Sequence, residues 1–221
     1  MNDISDTEIQ KILDWADENS VPDLKWIEHD SYKEGGYFKG VPRDREKLAN
    51  LTSLNLLGYQ LSELPKEIGS LIHLTTLYLS GNKLSRLPEE IGKLIHLEEL
   101  YVPGNYLNFL TPEIKNLKNL KILILQENQL TDIPKEIGEL TELSTLELGG
   151  NQLTDLPEEI GELRNLTKLT LWKNRLATLP KTMNNLSSLV EIDLMYNKIA
   201  LNSDDITWLN KLIEDDYSVN I

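Results

Sequence analysis

Two histidines at matching positions come closest, by type and spacing, to forming a metal site. His73 and His96 are 23 residues apart, and residues facing each other on adjacent strands lie about 5 Å apart. Two imidazoles at that distance can share a metal ion, but a zinc site needs at least one further protein ligand. At four other places in the chain the same position holds small polar residues, namely Asn50, Asn119, Asn165 and Ser188. We therefore interpret both histidines as turn residues and predict no metal site and no cofactor.

Paired acidic residues are the second candidate for chemistry. Hydrolysis of glycosides uses two carboxylates that flank the scissile bond, and Glu89-Glu90 and Glu158-Glu159 are such pairs by sequence. Each pair directly follows a proline, however, as expected at the start of a helical turn that favours negative charge. Asp204-Asp205 and residues 214–216 lack the alternating ligand spacing of a calcium loop. The sequence therefore predicts no catalytic residues and a protein that is not an enzyme.

Composition and charge limit the classes of partner. The 221 residues carry a net charge of −14 and no cysteine, so nucleic acids and anionic lipids are repelled and no disulfides are expected. No stretch reaches the roughly 18 apolar residues of a membrane span, and the N-terminus does not resemble a signal peptide. We predict a cytoplasmic protein without nucleic-acid or membrane partners, and secretion without a signal peptide remains open.

A 23-residue repeat organises most of the chain. Seven copies follow one another without insertion or deletion and begin at Leu51, Leu74, Leu97, Leu120, Leu143, Leu166 and Leu189. In every copy positions 1, 4, 6, 11, 14, 18 and 21 are apolar, and Asn202 is the one exception. Because this spacing combines two-residue alternation with an irregular turn, each copy is predicted to hold a short strand, a turn and a return segment.

Asparagine, proline and glycine recur at fixed places in the copies. The ninth position is Asn82, Asn105, Asn128, Asn151, Asn174 and Asn197, with Tyr59 in the first copy. A short amide side chain satisfies buried backbone donors and acceptors, so we predict that this asparagine column is structural. Proline follows the fourteenth position in five copies, at the expected start of a helical turn, and glycine follows the eighteenth in four.

The segment LTTLYLSGNKLSRLPEEIGKLIH, residues 74–96, resembles the leucine-rich repeat of the 23-residue Leu-Pro-x-x-Ile class. This class occurs in many bacterial proteins and is similar to the plant intracellular Ras-group repeats. The resemblance covers residues 51–209 and implies an α/β solenoid, a right-handed horseshoe. A parallel β-sheet would line its concave face and short helical or 3₁₀ turns its convex face. The family commonly binds other proteins through the concave face.

Both ends of the chain are predicted to be caps that cover the open solenoid. Residues 1–50 are expected to hold a helix that begins after Ser5 and a degenerate half-repeat over residues 38–50. The repeats are assigned to residues 51–201, and the last copy merges into the C-terminal cap. Residues 202–221 are assigned to a capping helix and a tail, and the helix is expected to cover the last coil with Ile206, Leu209, Leu212 and Ile213.

The residues expected to bind a partner lie on the strands. The fourth and sixth residues of each copy point inward, so the third, fifth and seventh face the concave surface. The strand LKILILQ, residues 120–126, is apolar on both faces, which favours a covered or functional surface. The predicted contact residues are Leu57, Tyr78, Tyr101, Pro103, Ile122 and Ile124, with Tyr106 and Phe109 on the adjoining loop. A second, weaker cluster contains Trp172, Met195 and Tyr196 beside Lys168, Lys173 and Arg175.

Three functions remain open from these residues. The first is a non-enzymatic module that binds a protein or peptide on its concave face. The second is a homodimer formed through the same apolar patch, which needs no foreign partner. The third is a secreted effector that acts on a host, although the short repeats and attached catalytic domains of many effectors are missing from this sequence.

Overall fold

The structure is a computed structural model of one chain and describes residues 4–28, 36–215 and 217–221. The described N-terminal part contains two helices and a two-stranded antiparallel hairpin. These elements are α1 (Asp6–Glu18), β1 (Lys25–Glu28), β2 (Gly36–Lys39) and α2 (Arg45–Ala49). The hairpin was not expected from the sequence, because its two short strands carry no strong alternation.

A parallel, unclosed sheet runs through all seven repeats. Its strands β3 to β9 are Ser53–Asn55, Thr76–Tyr78, Glu99–Tyr101, Ile122–Ile124, Thr145–Glu147, Lys168–Thr170 and Glu191–Asp193. Neighbouring strands pair with a constant shift of one repeat, so that Tyr78 lies opposite Tyr101 and Tyr101 opposite Ile124. Because no copy contains an insertion, every repeat position becomes a straight column across the sheet. The predicted solenoid with a parallel sheet is confirmed.

Short 3₁₀ turns form the convex side, as predicted. They are Lys66–Ser70, Glu89–Lys93, Pro112–Asn116, Lys135–Glu139, Glu158–Glu162 and Lys181–Asn185. Four of the six turns contain a glycine that lies close to the next coil. A Cβ on Gly69 would lie only 2.3 Å from the carbonyl oxygen of Glu90 in the next coil, so a larger residue would push the coils apart.

The apolar repeat positions form one continuous core. Leu77 and Leu79, which point inward from β4, are fully buried, and the equivalent residues of the other repeats are buried as well. Complete burial of one such side chain contributes about 2 kcal/mol. Stacking of consecutive copies, and not any single copy, therefore stabilises the fold.

The asparagine column runs along one edge of this core and connects neighbouring coils. The Asn105 carboxamide oxygen accepts a hydrogen bond from the Leu84 backbone N–H at 3.0 Å. Its amide nitrogen donates to the carbonyl oxygens of Leu79 at 3.0 Å and Val102 at 3.2 Å. The other five asparagines make the equivalent three hydrogen bonds. Each asparagine thus satisfies backbone groups that the turn leaves without partners.

The N-terminal helix covers the first coil. Ser5 and Glu8 form a capping box at its start, and Ile9, Ile12, Leu13 and Ala16 are buried against the core. Glu8 also accepts a hydrogen bond from Ser70 at 2.6 Å, and its hydrogen bonds to the Ser5 and Ser70 hydroxyls lower its pKa to about 2. Arg45, which breaks the half-repeat pattern, hydrogen bonds to α1 through Gln10.

The half-repeat expected at residues 38–50 agrees with the structure only in part. Val41 and Leu48 occupy buried positions, as the alignment with the repeat requires. Phe38, aligned with the buried Leu61, is 57% exposed instead, because it belongs to the antiparallel hairpin and not to a coil. Trp15 of the cap is buried, and Tyr32 lies outside the described residues.

The C-terminal cap contains the expected helix, but not all of its apolar residues are buried. Helix α3 (Ser203–Glu214) begins at Asn202, whose side chain accepts from the Asp204 and Asp205 backbone N–H groups. This capping role explains the one polar residue in the repeat pattern. Leu209 and Leu212 are buried, but Ile206 and Ile213 are 47% and 52% exposed, so the predicted four-residue apolar face is wrong. An α-helix turns its residues by 100° each, and only two of the four side chains reach the last coil.

The last described residues continue the sheet. Ser218–Asn220, assigned to a tail from the sequence, form strand β10 and pair in parallel with β9. None of the described helices combines the length and apolar character that a membrane crossing requires.

Candidate binding surface on the concave face

Two tyrosines and two isoleucines form an apolar patch on three adjacent strands, which we call the Tyr/Ile patch: Tyr78, Tyr101, Ile122 and Ile124. The rings of Tyr78 and Tyr101 are stacked, with centroids 4.7 Å apart and planes inclined by 13°. Ile124 follows Tyr101 in the same column, and Ile122 lies one column away opposite Glu99. All four side chains are partly exposed. The constant register of the repeats therefore brings these residues together on one surface.

Leu57 and Pro103 lie in the adjoining seventh column of this face. Leu57 is 38% exposed and Pro103 is partly exposed. Ser80 occupies the intervening place in the column, so the two are not direct neighbours. Both residues border the Tyr/Ile patch and extend its apolar character towards the strand ends.

A carboxylate lies inside this apolar surface. Glu99 stands in the third column between Thr76 and Ile122, and it accepts a hydrogen bond from the Tyr101 hydroxyl at 3.1 Å. Burial, with the nearby charge of Glu99, raises the pKa of both tyrosine hydroxyls above the usual value. Sequence reasoning placed Glu99 in a concave column but did not select it. The sequence feature that could have identified it is its position as a single charged residue between Thr76 and Ile122.

The second half of the sheet carries a charged network instead. The Lys168 ammonium contacts the carboxylates of Glu147 at 3.0 Å and Glu191 at 3.2 Å. The Gln126 amide donates to the other oxygen of Glu147 at 2.6 Å. We call these four residues the lysine network. Lys168, a member of the second predicted cluster, is thus already paired with carboxylates of its own chain.

Trp172, the centre of the second predicted cluster, packs against its own chain. A Cβ on Gly149, in the preceding coil, would lie 2.1 Å from the indole nitrogen of Trp172. The indole therefore occupies the space that glycine leaves open. Met195 follows Trp172 in the same column and is partly exposed, while Tyr196 is 76% exposed with a positive φ of 60°.

The two aromatic residues of the adjoining loop are about half exposed, Tyr106 at 50% and Phe109 at 45%. Phe109 lines a groove towards the convex side together with Arg86 and Pro112, and no residue of the Tyr/Ile patch lines that groove. The structure therefore places Phe109 on a surface separate from the concave patch.

The residues considered for metal binding or catalysis remain dispersed. His73 and His96 border an open depression with Glu98 and Asn119, but Glu98 pairs with Lys121 at 2.7 Å. Within the described residues, no group of three or more metal-ligating side chains is present. The glutamates beside the prolines lie in the first turn of convex 3₁₀ segments.

Comparison with known proteins gives matches along the repeats. The family described as "leucine-rich repeat region" matches residues 104–214, and the family described as "leucine rich repeat" matches residues 49–107. No curated protein matches the chain at a significant level.

Solved structures with the same fold come from bacteria and plants. A leucine-rich-repeat protein of Leptospira interrogans is 40% identical, with a TM-score of 0.68 over 69% of this chain and 39% of its own length. The ectodomain of the Arabidopsis thaliana receptor kinase GASSHO1/SCHENGEN3, solved with Casparian strip integrity factor 2, is 32% identical, with a TM-score of 0.64 over 69% of this chain and 19% of its own length.

An internalin of Listeria monocytogenes is 23% identical, with a TM-score of 0.65 over 83% of this chain and 52% of its own length, and supports the fold alone. The chain thus spans about half or less of each of these structures. Its matched residues extend over all seven repeats and the start of the C-terminal cap. The chain belongs to the leucine-rich-repeat family.

Proposed function

We propose that this chain is a non-enzymatic interaction module that binds a partner protein or peptide on its concave face, centred on the Tyr/Ile patch. Leu57 and Pro103 extend the contact surface, and Trp172, Met195 and Tyr196 form its secondary part. The observation that carries the proposal is the patch itself, because four partly exposed apolar or aromatic side chains lie together on three paired strands.

The physical chemistry of the patch supports a binding role. A strand with one solvent-facing side normally carries polar residues there, yet Ile122 and Ile124 face the same side as Tyr101. Contiguous exposed apolar area on a protein surface marks an interaction site. Tyrosine is enriched among the residues that dominate binding energy, since it buries a large area at a low entropic cost.

The relatives support the class of function. Leucine-rich repeats generally serve as interaction scaffolds, and the Arabidopsis relative is a receptor ectodomain solved in complex with Casparian strip integrity factor 2. We also assign the repeats to the Leu-Pro-x-x-Ile class of bacterial proteins, which the 40% identity to the Leptospira protein supports. A cytoplasmic location is consistent with the absence of cysteine, and a secreted effector remains the alternative.

The test is a pull-down with mass spectrometry that compares the wild type with a Tyr101→Ala/Ile124→Ala double variant. The matched control is Tyr217→Ala/Ile95→Ala, because these two residues are 39% and 51% exposed outside the concave columns. We expect to identify proteins that bind both the wild type and the control variant but no longer bind the patch variant. Equal retention by all three proteins would contradict the proposal.

A homodimer through the same patch is the second candidate, favoured by the exposed Tyr78 and Tyr101 stack. Light scattering at increasing protein concentration separates the two functions. A wild type that dimerises while the patch variant stays monomeric supports the homodimer. A wild type that stays monomeric up to about 100 μM excludes a homodimer with an association free energy more favourable than about −5.5 kcal/mol.

A further inference from the structure

Glu99 is an acidic residue inside the apolar part of the concave face and forms no direct ion pair with a described residue. None of the ion pairs between described residues includes it. Lys121, which directly precedes β6, forms an ion pair at 2.7 Å with Glu98, a residue outside the concave columns. Its ammonium acts on Glu99 only through a weaker electrostatic attraction. Glu99 is nevertheless partly buried, so it has lost part of its hydration without forming a direct ion pair.

The other concave carboxylates have partners of their own. Glu147 and Glu191 share Lys168. Asp193 accepts a hydrogen bond from the backbone N–H of Met195 at 3.0 Å. Among the described residues, the Glu99 side chain accepts a hydrogen bond only from the Tyr101 hydroxyl. An ionised carboxylate has about four lone-pair sites for donors.

The residues around Glu99 can accommodate one kind of side chain from a partner. Its neighbours are the stacked rings of Tyr78 and Tyr101, and Ile122 on the next strand. The faces of aromatic rings attract cations, while a long aliphatic stem packs well on apolar residues. A lysine or arginine combines these two properties in one side chain.

We propose that the Tyr/Ile patch binds a lysine or arginine of a basic segment in a partner protein, with the charged group on the Glu99 carboxylate. The aliphatic stem of that residue lies across the tyrosine rings and Ile122. This inference rests on the proposed function of the concave face and identifies the chemistry of the bound segment.

The charge of the whole chain favours the same partner. A net charge of −14 attracts a basic segment over distances beyond direct contact and repels an acidic one. In the second half of the face, Lys168 offsets Glu147 and Glu191. Within the Tyr/Ile patch, an added cation can therefore form a new ion pair with Glu99 without displacing an existing one.

The experiment selects ligands from a display library of random 12-residue peptides and measures affinities of the enriched synthetic peptides. Four proteins are compared, namely the wild type, Glu99→Gln, Asp193→Asn and the Tyr101→Ala/Ile124→Ala variant. Asp193→Asn is the matched control, because it removes one charge from the same face but keeps an acceptor for Met195 N–H. Urea unfolding of each variant checks that the fold is retained.

We expect the wild type to enrich peptides with lysine or arginine next to an apolar residue. Their affinity should fall about 10-fold or more in Glu99→Gln and less than about twofold in Asp193→Asn. Peptides that need Tyr101 and Ile124 but show no basic enrichment and bind Glu99→Gln equally well would overturn this inference and leave the proposed function intact. Peptides that bind the Tyr101→Ala/Ile124→Ala variant as well as the wild type would overturn both.

Discussion

The two halves of the concave sheet share the same backbone structure but differ in the chemistry of their outward-facing side chains. On strands β3 to β6 the outward columns present the Tyr/Ile patch with one carboxylate that forms no direct ion pair with a described residue. On strands β7 to β9 they present the lysine network, in which each charged group has a partner within the chain. A surface that satisfies its own polar groups gains little from a partner, whereas the first half leaves apolar area and a charge available for one.

The shared interior shows that this difference comes from outward residues alone. Asn105 in the first half and Asn151 in the second each make the same three hydrogen bonds to backbone groups. The inward residues Leu100 and Leu146 are both fully buried. The scaffold therefore allows the binding surface to vary without changing the fold.

The largest predicted effect tests whether the two interiors are equivalent. Asn105→Ala and Asn151→Ala each remove the three hydrogen bonds that both side chains make, and leave buried backbone groups without partners. We expect each substitution to lower the free energy of unfolding by about 3 kcal/mol, and by the same amount within about 1 kcal/mol. Urea unfolding followed by circular dichroism measures both. A loss in one half that is several times larger would show that the halves differ inside as well.

The next effect concerns Gly149, a glycine that only the second half requires. Its missing Cβ leaves room for the Trp172 ring, whereas the equivalent positions Pro103 and Gln126 carry side chains. We expect Gly149→Ala to destabilise the protein by about 1–2 kcal/mol in the wild type, because it overpacks this contact.

The same substitution should have almost no effect in a Trp172→Ala background, where the space is free. A double-mutant cycle with urea unfolding gives the coupling between the two residues. Equal destabilisation in both backgrounds would mean that Trp172 is not the reason for the glycine.

The smallest effect concerns the lysine network. Lys168→Met leaves Glu147 and Glu191 without their shared cation, and we expect a loss of about 1 kcal/mol at low salt because the group is partly exposed. The loss should shrink in 1 M NaCl, since salt screens such pairs. Urea unfolding at both salt concentrations measures it, and a salt-independent loss would indicate packing instead of charge.

The pH dependence of this contribution has a definite sign. The hydrogen bonds to Glu147 and Glu191 raise the pKa of Lys168 above its usual value of 10.5. A raised pKa means that the stabilisation is complete below that usual value and is lost as the pH rises through the folded value. The difference between wild type and Lys168→Met should therefore stay constant between pH 6 and pH 9.

Most of the fold was predictable because the repeat determines it. Apolar positions at fixed spacing predicted the inward leucines, the strands and the parallel order, and the absence of insertions predicted the straight columns. The same columns brought Tyr78, Tyr101, Ile122 and Ile124 together on one face. In a regular repeat, residues one repeat apart in the sequence therefore lie next to each other in the structure.

The remaining features depend on contacts that no repeat encodes. The exposure of Ile206 and Ile213 depends on how α3 meets the last coil, and Phe109 faces the convex groove because its loop turns away from the sheet. The role of Glu99 became visible only when its neighbours and their ion pairs were known. Side-chain partners within a column are a matter of geometry, and sequence spacing alone does not give them.

The most direct test of the account measures partner affinity for both halves side by side. Calorimetry with the partner isolated by pull-down should compare the wild type, Tyr101→Ala/Ile124→Ala and Trp172→Ala/Met195→Ala. We expect the affinity for the partner to fall about 100-fold or more in the first variant and about 10-fold or less in the second. The opposite order, or no loss in the first variant, would contradict the claim that the Tyr/Ile patch is the centre of the binding surface.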